Sequence, residues 1–132
     1  MKKLVERALL EDVGHGDLTS SIVVPPNLEA TGRVSTRESL VLSGTDVFRE
    51  VVAQVDKRLE LKTFKKDGDF CLENEPILAL RGSARSILIV ERTGLNFLMR
   101  LSGVATLTRE FADAMGPDGP KLLDTRKTTP GL

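Results

Sequence analysis

Six residues, Asp124-Thr125-Arg126-Lys127-Thr128-Thr129, place two cations and three hydroxyls in one short stretch. Leu122-Leu123 precede the run and Pro130-Gly131-Leu132 follow it. Fixed cations with hydroxyl donors beside them suit a small polyanion, because charge-assisted hydrogen bonds to carboxylate or phosphate are the strong ones. The bland alternative is a solvated Arg-Lys pair in a loop. Context favours the functional reading, since an apolar strand over Lys121 to Asp124 would present the pair at its C-terminal end. Reactive groups of α/β barrels sit at that end. Pro130 also biases Thr129 toward an extended backbone, which narrows where its neighbours project. A lone strand with this chemistry needs neighbours, so the sequence is expected to stop inside a larger structure.

A second group lies on the longest helical stretch. Arg92, Asn96 and Arg100 recur at i, i+4, i+8 and share one face. They read equally as a wet stripe or as a second cationic surface. Glu91 falls inside the apolar arc of Ile87, Leu88, Val90, Leu95, Leu98 and Leu101. A buried carboxylate there is costly unless a cation meets it, so Glu91 reads as a structural acid positioning a basic neighbour. Gly14-His15-Gly16-Asp17 lacks the length and the Lys-Ser/Thr ending of a phosphate loop. It reads as a turn in which Asp17 or Thr19 caps backbone donors. His15, the sole histidine, has no companions at metal-ligand spacing, so neither a metal site nor a catalytic base is assigned to it.

The elements that must hold these residues follow from periodicity. A helix is expected over residues 3–12, then a turn-rich connector closed by Pro25-Pro26. Residues 29–42 read as strand with a break near Glu38, and inward positions Ala30, Val34, Leu40 and Leu42. A helix to Val55 with apolar face Val47, Phe48, Val51, Val52 and Val55 comes next. Strands follow over 59–64 and 76–81. Ser83 caps a long helix to about Ser102, Gly103 bends the chain, and a second helix runs from Ala105 to Met115. The order predicts an α+β fold, an antiparallel-sheet and helix sandwich, followed by the first strand of something else. The division is 1–103 for the sandwich and 104–132 for the start of the next domain.

Composition removes several classes. Nineteen basic and nineteen acidic residues cancel, which argues against a nucleic-acid footprint. With no Trp or Tyr and five Phe, stacking on single strands is not expected. No apolar run reaches membrane-spanning length. Glu6 and Arg7 interrupt any signal-peptide core behind Lys2-Lys3, so a cytoplasmic location is expected. Cys71 alone allows no internal disulfide and reads as a small packing residue on a strand.

Three ordered motifs carry a family likeness: 11–19 (Glu-Asp-Val-Gly-His-Gly-Asp-Leu-Thr), 91–103 (Glu-Arg-Thr-Gly-Leu-Asn-Phe-Leu-Met-Arg-Leu-Ser-Gly) and 124–132. Together they make the sequence resemble the quinolinate phosphoribosyltransferases, the decarboxylating nicotinate-nucleotide pyrophosphorylases of NAD biosynthesis. Gly94 stands where that family usually has alanine, which is expected to loosen the helix slightly. Met99 replaces a common glutamine. The resemblance implies a sandwich followed by an α/β barrel, of which only the first strand is expected here, and a homodimer whose site is shared between subunits. It implies substrate-binding roles for Arg92, reaching into the partner's site, and for Thr125, Arg126, Lys127 and Thr128 on the barrel. It implies quinolinate and phosphoribosyl pyrophosphate as substrates, with Mg²⁺ held by residues beyond these 132. No catalytic residue falls within the sequence, which is expected to be inactive alone. The rivals are a molybdenum-transport-associated relative of the same fold and a non-catalytic assembly module. The intact Asp124 to Gly131 run favours the biosynthetic enzyme.

Overall fold

The computed structural model describes residues 1–14 and 16–129. The expectations for His15 and for the Pro130-Gly131 exit lie outside the described residues. Four helices and five strands follow in the order α1 (Lys2–Val13), α2 (Leu18–Val23), β1 (Glu29–Ser35), β2 (Leu40–Val41), α3 (Thr45–Val55), β3 (Glu60–Thr63), β4 (Phe70–Cys71), β5 (Pro76–Ser83) and α4 (Ala84–Met115).

Strand β5 is the centre of a three-stranded antiparallel sheet of order β1-β5-β3. Its register places Gly32 opposite Leu80 and Val34 opposite Leu78 on one side, with Leu61 and Thr63 opposite the same two leucines on the other. Alternation therefore gathers Ala30, Val34, Leu61, Leu78 and Leu80 onto one face, as period-two side chains must. Helices cover that face. Ile87 of α4 approaches so closely that a Cβ on Gly32 would lie 3.3 Å from its Cγ2. β2 and β4 form a separate antiparallel ribbon, with Cys71 fully buried as a packing residue. The result is the expected α+β open sandwich. No helix among the described residues is long and apolar enough to cross a membrane.

The core lies where α3 meets α4. Phe48 and Val51 of α3 are fully buried, and Val90, Gly94 and Leu98 of α4 face the same interior. Gly94 is tighter than its helix propensity suggests. A Cβ there would sit 2.6 Å from Phe48 Cε2 and 2.7 Å from Cδ2, inside van der Waals contact. The glycine that weakens α4 locally is thus the surface on which the Phe48 ring lies, and the two residues are complementary in volume. The N-terminus of α3 is capped from a distance. Asp67 accepts from the Gly44 and Thr45 amides at 2.8 and 2.9 Å and from the Thr45 hydroxyl at 2.6 Å. Gly44 leaves its own helix end uncapped at φ 103, and a carboxylate at a helix N-terminus supplies what it lacks.

Four sequence expectations are corrected. Helix α4 does not bend at Gly103 but runs unbroken to Met115. One glycine costs a helix only about 1 kcal/mol, and hydrogen bonds on either side of it oppose a bend. Ser102 Oγ accepts from the Ser43 amide at 3.0 Å, and Thr106 Oγ1 accepts from the Val41 amide at 2.9 Å, fastening α4 along β2. Lys121 to Asp124 form no strand, because no neighbouring strand pairs with them among the described residues. Glu91 is exposed, and so is Leu88 at 37%. A helical wheel gives the direction of a side chain but not whether another element lies opposite it. Finally, the connector after Gly14 contains the short helix α2, in which Asp17 is the N-cap.

The Gly94 and Phe48 fit yields a stability test. Gly94→Ala is expected to cost about 1–3 kcal/mol through overpacking, despite alanine's better helix propensity. In a Phe48→Leu background the same change should cost much less. An unchanged or raised melting temperature for Gly94→Ala alone would contradict this packing.

Candidate functional site

Six residues make a helix too short to persist on propensity alone, so α2 depends on what holds its ends. Both ends are held by α4. Arg85 donates from Nε to the Val24 carbonyl at 2.8 Å and from Nη2 to the Ser21 carbonyl at 2.8 Å, satisfying free acceptors at the α2 C-terminus. Two turns further along, Arg92 Nη1 meets Asp17 Oδ2 at 3.2 Å, at the α2 N-terminus. Seven residues of α4 advance about 10.5 Å and six residues of α2 about 9 Å, so the arginine spacing matches the helix it grips. The polarity also fits, with a cation at the C-terminus and an anion at the N-terminus of α2.

Arg92 has a second partner. Its Nε donates to Asp12 Oδ2 at 3.0 Å, near the end of α1, and the buried Thr93 hydroxyl donates to the same oxygen at 3.4 Å. One guanidinium therefore joins α1, α2 and α4. Asp17 is the enclosed member, with a side chain 6% exposed against 43% for Arg92. The Ser20 amide donates to Asp17 Oδ1 at 3.0 Å and the Ser20 hydroxyl to Oδ2 at 2.8 Å. These bonds, the amide first, hold the Asp17 carboxyl below its ordinary range against the opposing effect of burial, and Arg92 adds to the lowering. On the other side, the hydrogen bond that Arg92 donates to Asp12 strengthens the guanidinium's hold on its proton. An arginine carries five N–H donors. Two are used among the described residues, which leaves three on a partly exposed group.

Beside this triad lies a cleft of about 510 Å³, whose lining includes Glu11, Asp12, Thr93, Asn96, Arg100 and Thr129. Arg100 Nη2 donates to Thr129 Oγ1 at 3.2 Å, so the stretch after α4 folds back onto the helix. The wet stripe of α4 is therefore not idle: Arg92 binds acids, while Asn96 and Arg100 wall the cleft. Of the cationic stretch, only Thr129 reaches it. Thr125, Arg126, Lys127 and Thr128 are exposed and do not line the cleft, and the one bond among them is from the Lys127 amide to Thr125 Oγ1 at 3.1 Å. The chain thus does not gather Arg92 and Arg126 into one site. Sequence reasoning missed Asp12 and Asp17 as partners of Arg92. The available signal was the acids flanking the glycine turn, which only a tertiary contact across 75 or more residues turns into a pair.

Asp17 gives a pH test with a definite sign. Its folded pKa lies below the ordinary aspartate value of 3.8, so its contribution to stability is present above that value and is lost as pH falls through the folded pKa. A carbon-13 titration of the Asp17 carboxyl should give a midpoint below 3.8. Arg92→Ala should raise it only in part, because the Ser20 donors remain. A midpoint at or above the ordinary value in the unmodified chain would contradict the triad.

Comparison with known proteins bears out the fold. Residues 17–102 match the model of the quinolinate phosphoribosyl transferase N-terminal domain. A probable nicotinate-nucleotide pyrophosphorylase of Bacillus subtilis is 40% identical over the whole of this chain, which corresponds to 45% of that protein. A mitochondrial quinolinate phosphoribosyltransferase of Nicotiana tabacum is 37% identical over the same span and 37% of its own length. The solved nicotinate-nucleotide pyrophosphorylase from Francisella tularensis superposes with a TM-score of 0.93 at 39% identity, over 98% of this chain and 46% of the other. The chain spans less than half the length of these relatives. On this footing the chain belongs to the quinolinate phosphoribosyl transferase family, whose N-terminal domain it contains.

Proposed function

We propose that this chain is the N-terminal part of a phosphoribosyltransferase that converts quinolinate and phosphoribosyl pyrophosphate to nicotinate mononucleotide, CO2 and pyrophosphate. The observation that carries the reading is the alignment of the entire chain with enzymes named for that reaction. The ring nitrogen bonds to the ribosyl carbon as pyrophosphate leaves with its electron pair. The bond to the adjacent carboxylate then breaks, CO2 departs, and the electrons remain beside a ring nitrogen that has become cationic. A proton completes the product.

In this reading Arg92 grips one substrate carboxylate, because a planar guanidinium meets a carboxylate with two parallel hydrogen bonds. Arg126 and Lys127, with Thr125 and Thr128, serve the dicarboxylate and the phosphoribosyl group. The separation of these residues from Arg92 within one chain suits a cytoplasmic homodimer in which they meet across two subunits. Mg²⁺ is expected to accompany the pyrophosphate. Among the described residues no group of three or more potential ligands could hold a metal ion, and Asp12 and Asp17 are engaged by Arg92. The described residues therefore do not fit that ion, and no step is assigned to it.

The test joins this chain to the part of the Bacillus subtilis relative that it does not cover. The chimera should form nicotinate mononucleotide only with both substrates, while the chain alone forms none. Arg92→Ala should raise KM for quinolinate roughly tenfold, the loss of one charge-assisted contact, and change KM for the ribosyl donor far less. Product from the chain alone, or an equal effect on both substrates, would count against the reading.

A further inference from the structure

The two arginines of α4 that hold α2 do different work, although both look like ties. Arg85 is half-buried and directs its bonds to the Ser21 and Val24 carbonyls, neutral acceptors at a helix end. That is a mechanical role, complete in itself. Arg92 spends one donor on each of two carboxylates and, among the described residues, keeps three more on a side chain that is 43% exposed. Two carboxylates around one cation exceed what neutralising it requires. Nor does capping α2 need Arg92, since Asp17 already accepts from the Ser20 amide at 3.0 Å. What the pair does fix is direction. With Nε held from the α1 side and Nη1 from the α2 side, the plane of the guanidinium is set, and among the described residues no acceptor takes either hydrogen of Nη2.

We propose that Asp12 and Asp17 are positioning residues that orient Arg92 for the substrate carboxylate, an inference that rests on the substrate reading of Arg92 given above. An unrestrained arginine must give up its rotamer freedom when a ligand arrives, whereas one braced in advance does not. The two acids also repel an arriving dianion. That repulsion is weak at a solvated site, so the fixed orientation outweighs it. Asp17 suits the part best. It is nearly enclosed, and the Ser20 amide and hydroxyl fasten both of its oxygens, so it forms a fixed post against which the arginine rests.

The test is a double-mutant cycle in the same chimera. Asp17→Asn is the chosen variant because asparagine still caps α2, so the helix is kept while the charge is lost. It should raise KM for quinolinate about five- to tenfold, a coupling typical of neighbouring groups, and leave KM for the ribosyl donor within about twofold. In an Arg92→Ala background the same change should have no further effect on KM for quinolinate. Arg85→Ala serves as the mechanical control, lowering the melting temperature without separating the two KM values. Multiplying effects of Asp17→Asn and Arg92→Ala, or equal effects of Asp17→Asn on both substrates, would overturn the positioning role while leaving Arg92 a substrate ligand. An unchanged KM for quinolinate in Arg92→Ala alone would overturn the parent reading instead. On this chain by itself, the Arg92 Nε–H resonance should be protected from solvent exchange and lose that protection in Asp12→Asn. Equal exchange in both would also overturn the proposal.

Discussion

The Arg92 guanidinium, seated between Asp12 and Asp17, is the contact by which α4 organises the first twenty-odd residues of the chain. Those residues bury little by themselves. Val5 is the one fully buried apolar residue of α1, and Leu18 and Ile22 of α2 are more than 70% exposed. With so little apolar area to fix their place, the two helices rely on polar contacts: α4 supplies them at Arg85 and Arg92, and Gln54 of α3 donates to the Lys2 carbonyl of α1 at 3.0 Å. A solvated ion pair is worth about 1 kcal/mol or less. The value of the triad is therefore geometric: it ties α1 and α2 to one face of α4.

Stability comes from elsewhere on the same helix. One side of α4 packs on α3 and the sheet through Ile87, Val90, Gly94 and Leu98, and each buried aliphatic side chain contributes about 1.5–3 kcal/mol. Thr106 extends the attachment to the backbone of β2, and Ser102 to the Ser43 amide just after it. The core thus holds α4 straight and still, and the rigid helix presents Arg92, Asn96 and Arg100 on its other side. A cation carried by a well-packed helix is a better-defined binding group than one on a loop. This division of labour explains why Glu91 and Arg92, adjacent in sequence, have such different surroundings. Glu91 faces solvent where no element lies opposite, while α1 and α2 bring acids to Arg92.

Much of this was legible from the residues. The alternation of 59–64, the apolar run of 76–81, the apolar stripe of α3 and the Ser83 cap each announce a local structure that tertiary packing then confirms, because local preference and burial agree. The failures share a cause. Gly103 looks like a break until Ser43 and Val41 are seen bonding across it, and Gly94 looks like a weak point until Phe48 is found against it. Lys121 to Asp124 have the composition of a strand without a strand to pair with. The triad was the least legible part, since Asp12, Asp17 and Arg92 are joined only by the packing of α1 and α2 on α4. Composition could mark Arg92 as a candidate, but not say what would aim it.

On the role proposed for Arg92, a cation braced from two sides keeps its remaining donors for an anionic ligand. A crystal structure of the chimera with quinolinate bound tests it most directly. The account predicts a substrate carboxylate within hydrogen-bond distance of Arg92 Nη2, with the contacts to Asp12 and Asp17 intact. Substrate bound with Arg92 turned away, or with both acids released from it, would contradict it.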